Sequence, residues 1–216
     1  MVVNGVKIFD TFAEAFPMRA TRLIVTAYNA QWAMYGAISM TGFATSVIAC
    51  GCEAAVETIL TGDETPDSRP GVSVLVFSMS SKELVKQVEN RVGQCILTCP
   101  TGSVFNGMPE GEEFALAKNL RFFGDGWQIS KVIRNKRYWR IPTMDGEFVG
   151  EETARYKTAI GGGNILILAK DIKSALYISE IGVDEINNLE NVIAPFPGGV
   201  VRSGSKVGSK YKALVA

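Results

Sequence analysis

Histidine is absent from the 216 residues of this chain. That omission removes the commonest general base, the Ser-His and Cys-His nucleophile pairs and the commonest transition-metal ligand. Any proton transfer has to use carboxyl, lysine, tyrosine or cysteine groups. An excess of charge is missing too: 22 lysine and arginine side chains balance 22 aspartate and glutamate. Nothing therefore favours a phosphate backbone, and nucleic acid is not an expected partner. The N-terminus reaches Lys7 and Asp10 before any apolar run long enough for a signal peptide or a membrane span. The expectation is a cytoplasmic protein that does not meet a membrane. Cysteine is scarce, with four residues placed as Cys50-x-Cys52 and Cys95-x3-Cys99. Without secretory features these read as reduced, buried, small apolar side chains. A four-thiolate zinc site is the alternative, but Cys95 and Cys99 fall on one strand-like run rather than in a knuckle, so no metal is expected.

What is present is enough apolar residue for a dense core: 47% of the chain is hydrophobic and 20% charged, the balance of a folded globular protein. The length allows one large domain or two small lobes.

The run 22–28 is β-branched and apolar, 30–40 carries Trp32, Met34, Tyr35 and Ile38 at helical spacing, and 45–50 is apolar again. After a turn-rich loop at 61–71 the pattern repeats as strand 72–78, helix 82–92 and strand 94–98. Ser80 or Ser81 can cap that second helix, with Glu83 beside the positive end of its dipole. Two β-α-β passes in succession predict an α+β fold with a ferredoxin-like lobe over 1–103. Residues 104–158 read as a linker and β-hairpin arm, with alternating large and polar residues at 136–141 and a turn at Asp145-Gly146. Exposed aromatic residues on such an arm suit a partner subunit. A third pass, strand 164–169, helix 172–188 and short strand 191–194, opens a second ferredoxin-like lobe over 159–216. It holds one β-α-β pass where the first lobe holds two, so a sheet edge is expected to be completed by further sequence or by a partner.

Three segments carry candidate binding residues. The stretch 194–212 combines backbone-bending glycines, among them Gly199, with donors at Ser203, Ser205, Lys206 and Lys210. Such a loop can hold a carboxylate or phosphate, although the order of a nucleotide P-loop is absent; a solvated polar turn is the plainer alternative. In the second, 121–128, Phe123, Asp125, Gly126, Trp127 and Gln128 offer flat aromatic faces for a pterin or furan ring and polar groups for its edge. A core aromatic cluster beside a tight turn is the other reading of the same residues. The third is Asn164 after three glycines, a close-approach site or an ordinary hinge. Elsewhere, Glu14 at helical spacing from Asp10 suits an ion pair with Arg19 or Arg22.

Taken together, 4–6 with 10–16, 41–48, 64–67, 69–72, 93–95, 122–128 and 194–210 resemble, in collinear order, the formylmethanofuran:tetrahydromethanopterin formyltransferase family. Cys50-Gly51-Cys52-Glu53 and 127–133 are most like its bacterial form, the formyltransferase subunit of the formyltransferase/hydrolase complex of methylotrophs. The resemblance implies formyl transfer between N5 of tetrahydromethanopterin and the primary amine of methanofuran, both as substrates, with no metal and no covalently bound cofactor. It also implies two ferredoxin-like lobes, a homo-oligomer, and partner subunits that hydrolyse formylmethanofuran. The family's acid is expected beyond Ala216, so no catalytic residue is carried over. A non-catalytic assembly subunit and a ferredoxin-like small-molecule-binding module are the other classes these features allow.

Overall fold

The computed structural model describes residues 1–9, 15–202 and 210. A two-strand ribbon, β1 (Val2–Val3) with β2 (Val6–Lys7), opens the chain. Its turn is Asn4-Gly5, and both residues take the positive φ that such a tight reversal demands.

The centre of the molecule is β3 (Phe16–Thr26), followed by helix α1 (Ala30–Thr41), the single turn α2 (Val47–Cys50), β4 (Glu53–Leu60), β5 (Gly71–Ser78), α3 (Ser81–Arg91) and β6 (Ser103–Asn106). In space the strands lie β4-β5-β3-β6, every neighbour antiparallel. The core forms where one face of this sheet meets the helices. Leu23 and Val25 of β3 and Val72, Val74 and Val76 of β5 pack against Ala33, Ala37 and Met40 of α1 and Leu84 and Val88 of α3. Asn29 caps α1 and Ser80 caps α3, each side chain accepting a backbone N–H of the first turn.

The expected strand at 94–98 is helical. Leu84, Val88, Val92 and Ile96 recur every fourth residue and are all buried, so one apolar stripe runs from α3 into a π-helical turn at Val92–Ile96. Helical spacing outweighed the strand-like look of the run. Gly36 suits this close packing, because a Cβ there would lie 3.2 Å from the Ile96 side chain, tighter than an ordinary contact. The apolar run 45–50 is likewise α2, capped by Ser46 and stopped by Gly51 at φ 72°. The strand comes later, at β4, whose edge position tolerates its glutamates.

The chain continues through β7 (Glu112–Ala115), α4 (Ala117–Leu120), β8 (Ile129–Ile133), β9 (Lys136–Thr143), β10 (Gly146–Glu151) and β11 (Thr153–Gly161). The expected hairpin is β9-β10, turning at Met144-Asp145. The hairpin and the strand after it also join the first sheet. β10 pairs parallel with β6, and β11 pairs with β3 along 16–21, while β6 takes β3 along 23–26. The sheet therefore forks at the middle of β3. Asn106, at the tip of β6, bridges the fork: its N–H donates to Glu151 (3.1 Å) and its Oδ1 accepts from the Arg155 N–H (3.0 Å).

Beyond β11 lies helix α5 (Ile172–Asn187), capped by Asp171. Its extent agrees with its apolar periodicity, but the flanking strands expected at 164–169 and 191–194 are not formed. A strand exists through pairing, and no described strand lies beside either segment. Ile165, Leu166 and Leu168 are exposed instead. Residues 189–193 cross the face of the sheet opposite α1 and α3, where Ile193 packs against Met18, Ala20, Leu75 and Phe77.

Candidate functional site

The 121–128 segment is built as a knuckle. α4 runs into the turn Arg121–Gly124, and Asp125 and Gly126 then take φ of 50° and 93°. Backbone bonds from Asp125 N–H to Phe122 O (3.1 Å) and from Trp127 N–H to Gly124 O (2.7 Å) tie the reversal. The Gln128 carboxamide oxygen accepts the Gly126 N–H at 2.8 Å. A side chain at Gly124 would be crowded, since a Cβ there would lie 2.8 Å from both the Cβ and the carboxamide oxygen of Gln128. Gln128 is thus spent partly on holding the turn, and its NH2 group remains for a ligand. Phe122, Phe123 and Trp127 are 64%, 60% and 81% exposed. That excludes a core aromatic cluster and leaves the ring faces open. The Arg121 guanidinium lies over Phe122 at 4.5 Å and over Trp139 at 5.0 Å, adding a cation to the same surface.

Gly199 belongs to a 3-10 turn, Pro197–Gly199, closed by Gly199 N–H to Phe196 O (2.7 Å). Gly198 and Gly199 both have positive φ, and a Cβ on Gly199 would meet the Val183 methyls of α5 at 2.7 Å. Its glycine is explained by close approach to a helix. Asn164 and Lys210 are exposed. Ser203, Ser205 and Lys206 lie outside the described residues, as does Glu14. No hydrogen bond or ion pair among the described residues joins the 121–128 knuckle to Asn164, Gly199 or Lys210.

Sequence reasoning missed two polar constellations. The first is the fork, a cavity of about 480 Å³ lined by Asn106, Lys136, Glu151 and Arg155 among others. There the buried Glu151 pairs with Lys136 at 3.0 Å. The second lies on the opposite side of the sheet. The Arg22 side chain donates to both oxygens of Glu57, Nε and Nη2 each at 2.6 Å. Arg19 bonds Thr158. Burial works against the Glu57 charge, but hydrogen bonds from Arg22, Ser73 and the Asn191 N–H outweigh it, and the pKa lies below its ordinary value. Arg22 is raised in turn, chiefly by its bond to Glu57. A 35-residue separation and a bulged strand leave no periodic signal by which this pair could have been found.

The residues 64–71 hold the loop before β5. Asp67 accepts from Thr26 (2.7 Å) and Arg69 (2.8 Å), while Arg69 reaches Ser103 (2.6 Å) and the Thr101 carbonyl (2.7 Å). Cys50 and Cys52 are buried, Cys95 and Cys99 half-buried, and all four are free. Among the described residues no group of three or more cysteine, aspartate or glutamate side chains is arranged to hold a metal.

The family profile for formylmethanofuran-tetrahydromethanopterin formyltransferase matches residues 1–143, and that for the proximal lobe of the same proteins matches 146–216. The chain belongs to the formylmethanofuran-tetrahydromethanopterin formyltransferase family. It is 62% identical over 220 residues to the Methylobacillus flagellatus protein of that name, covering 100% of this chain and 73% of the relative. A component of the formyltransferase/hydrolase complex of Methylorubrum extorquens is 47% identical, with 99% of this chain and 71% of that one covered. The crystal structure of that complex with methylofuran superposes with a TM-score of 0.95, over 100% of this chain and 72% of the solved one, at 47% identity. The Methanosarcina barkeri formyltransferase superposes at 0.91 with 44% identity, over 100% and 73%. The two profiles meet in the β9-β10 turn.

Proposed function

We propose that this protein transfers a formyl group between N5 of tetrahydromethanopterin and the amine of methanofuran. The observation that carries this is the collinear match of the whole chain to formyltransferases of that name at up to 62% identity. The two carriers are its substrates, and the reaction belongs to one-carbon metabolism.

Attack of an amine on a formamide carbon passes through a tetrahedral oxyanion, which needs hydrogen-bond donors at the oxygen and an acid for the departing nitrogen. Neither role requires histidine. Of the groups this chain offers, Phe123 and Trp127 supply open ring faces, and Asp125, Gly126 and Gln128 supply polar groups beside them. We assign this knuckle to the flat ring of a carrier, and Asn164, Gly199, Ser203, Ser205, Lys206 and Lys210 to its polar parts. Stacking on exposed aromatic faces with one cation alongside is the physical support.

The first lobe is read as ferredoxin-like, supported by the order strand, helix, strand, strand, helix, strand and the spatial order β4-β5-β3-β6. The second is read as a related lobe begun by α5. A homo-oligomer and partner subunits of a formyltransferase/hydrolase complex are inferred from the fully exposed β8 at the sheet edge, and from the complex to which the Methylorubrum relative belongs. No helix among the described residues is long and apolar enough to cross a membrane; cytoplasmic residence is part of the same proposal.

The test is formyl transfer from N5-formyl-tetrahydromethanopterin to methanofuran. It is run with this chain alone and with this chain fused to the part of the Methylobacillus relative that it does not match. Transfer by either form supports the reading. Two folded proteins that bind carrier and transfer nothing would overturn it in favour of a non-catalytic assembly subunit.

A further inference from the structure

We propose that Arg22 and Glu57 are positioning residues: a latch on the sheet of the first lobe that fixes where α5 and the 194–200 turn of the second lobe sit. Its consequence for formyl transfer rests on the function proposed above; the latch itself does not.

The Glu57 carboxylate gathers donors from three parts of the chain. Oε2 accepts Arg22 Nε of β3 at 2.6 Å and Ser73 Oγ of β5 at 2.7 Å. Oε1 accepts Arg22 Nη2 at 2.6 Å and the backbone N–H of Asn191 at 2.9 Å. About four lone-pair sites are available on a carboxylate, and all are used. Arg22 Nη2 also donates to Asn191 Oδ1 at 2.7 Å, so the pair reads both the backbone and the side chain of one residue. Among the described residues, these two bonds to Asn191 are the only hydrogen bonds from 162–202 to the rest of the chain.

Local structure is adapted to the contact on both sides. The register of β4 on β5 slips between Val56 and Thr58, making Glu57 the extra residue of a bulge. Bulges re-aim side chains, and this one puts a carboxylate on the face that carries Arg22 and Ser73. Opposite it, Asn191 has φ of 66°, a conformation asparagine tolerates better than most residues. The latch also sets register: one step either way would offer Glu190, repelled by Glu57, or Val192, which has no side-chain acceptor. Ile193, next but one, inserts beside Met18, Ala20, Leu75 and Phe77.

Beside the latch is a cavity of about 560 Å³, walled by Arg22, Glu57 and Ser73 on one side and by 187–191 on the other. The joint can therefore open without exposing the core between the sheet and α1. α5 itself buries only Ser179, so its own packing contributes little to holding it in place.

The test uses Glu57→Gln and, as a milder variant, Asn191→Gly, which keeps the positive φ and deletes only the amide acceptor. Hydrogen exchange is read at the amides of 184–193 and, as an internal control, at 72–77. Losing a hydrogen bond to a charged group predicts about 10- to 100-fold faster exchange at 184–193 in Glu57→Gln. Asn191→Gly gives a smaller rise, and 72–77 stays unchanged in both. In the protein that transfers formyl, the same variants raise KM for a carrier more than they lower kcat. Unchanged exchange at 184–193 in both variants, or a rise shared equally by 72–77, overturns the latch. Faster local exchange with unaltered kinetic constants overturns the positioning role. Absence of transfer in the parent protein sinks the functional reading alone, because exchange still decides the latch.

Discussion

Helices α3 and α5 are both amphipathic, yet they end in opposite circumstances. Leu84 and Val88 of α3 are buried to within 1% against the sheet, whereas α5 leaves Leu176 and Ile181 51% and 47% exposed. Apolar periodicity makes a helix in each case. What it is worth depends on a surface to bury it, and on the described residues only α3 has one. The family reading and the latch both bear on this contrast, since a lobe held by few contacts is one whose position a single carboxylate can set.

The sharpest way to test the contrast is truncation. Leu23→Ala, in the fully buried centre of β3, is expected to cost about 2–5 kcal/mol in urea unfolding. Leu176→Ala on the open side of α5 should stay within about 0.5 kcal/mol; equal losses would mean that α5 is covered in solution. Glycine gives a test of sign. Gly36→Ala puts a methyl 3.2 Å from the buried Ile96 side chain, so the helix-propensity gain of about 0.5–1 kcal/mol should be offset and no net stabilisation is expected. Gly182→Ala in α5 meets nothing within 4 Å and should stabilise by about 0.5–1 kcal/mol through helix propensity, read as a shift in unfolding midpoint.

Trp127→Ala should leave stability within about 0.5 kcal/mol, since the ring is 81% exposed. It should weaken binding of a ring-bearing carrier by roughly 2- to 10-fold, the worth of one stacked pair, by titration calorimetry. Unchanged affinity for both carriers would remove the knuckle from the site. The smallest effect concerns pH. Glu57 has its pKa lowered on folding, so its stabilisation is complete above the unfolded value of 4.5 and is lost as pH falls through the lower folded value. Acid titration of Glu57→Gln should show a shallower loss of stability across that window than the parent chain.

Much of the fold was legible. Helices α1, α3 and α5, the β9-β10 hairpin and strands β3 and β5 follow from apolar spacing and from capping or turn residues that act within a few positions of themselves. The exceptions share a cause. The 94–98 run was read as a strand because β-branched and small apolar residues suit either state, and burial against α1 decided it. Strands at 164–169 and 191–194 had the composition but no partner. β4 was missed because an edge strand with a bulge breaks the alternation that would reveal it. In the site, the sequence marked the knuckle through its Gly-Asp-Gly turn and flanking aromatics, but could not say that the rings face water.

The sequence by itself determined the family, through collinear motifs, and excluded histidine chemistry, because both are properties of residue identity. It also determined local conformation wherever a cap, a turn glycine or a four-residue stripe acts over short range. Only the tertiary structure decided that residues 104–158 enter the first sheet, that the sheet forks at β3, and that Arg22 meets Glu57. Those outcomes turn on which strands pair and which side chains share a face, and such contacts bring together residues 35 to 169 positions apart.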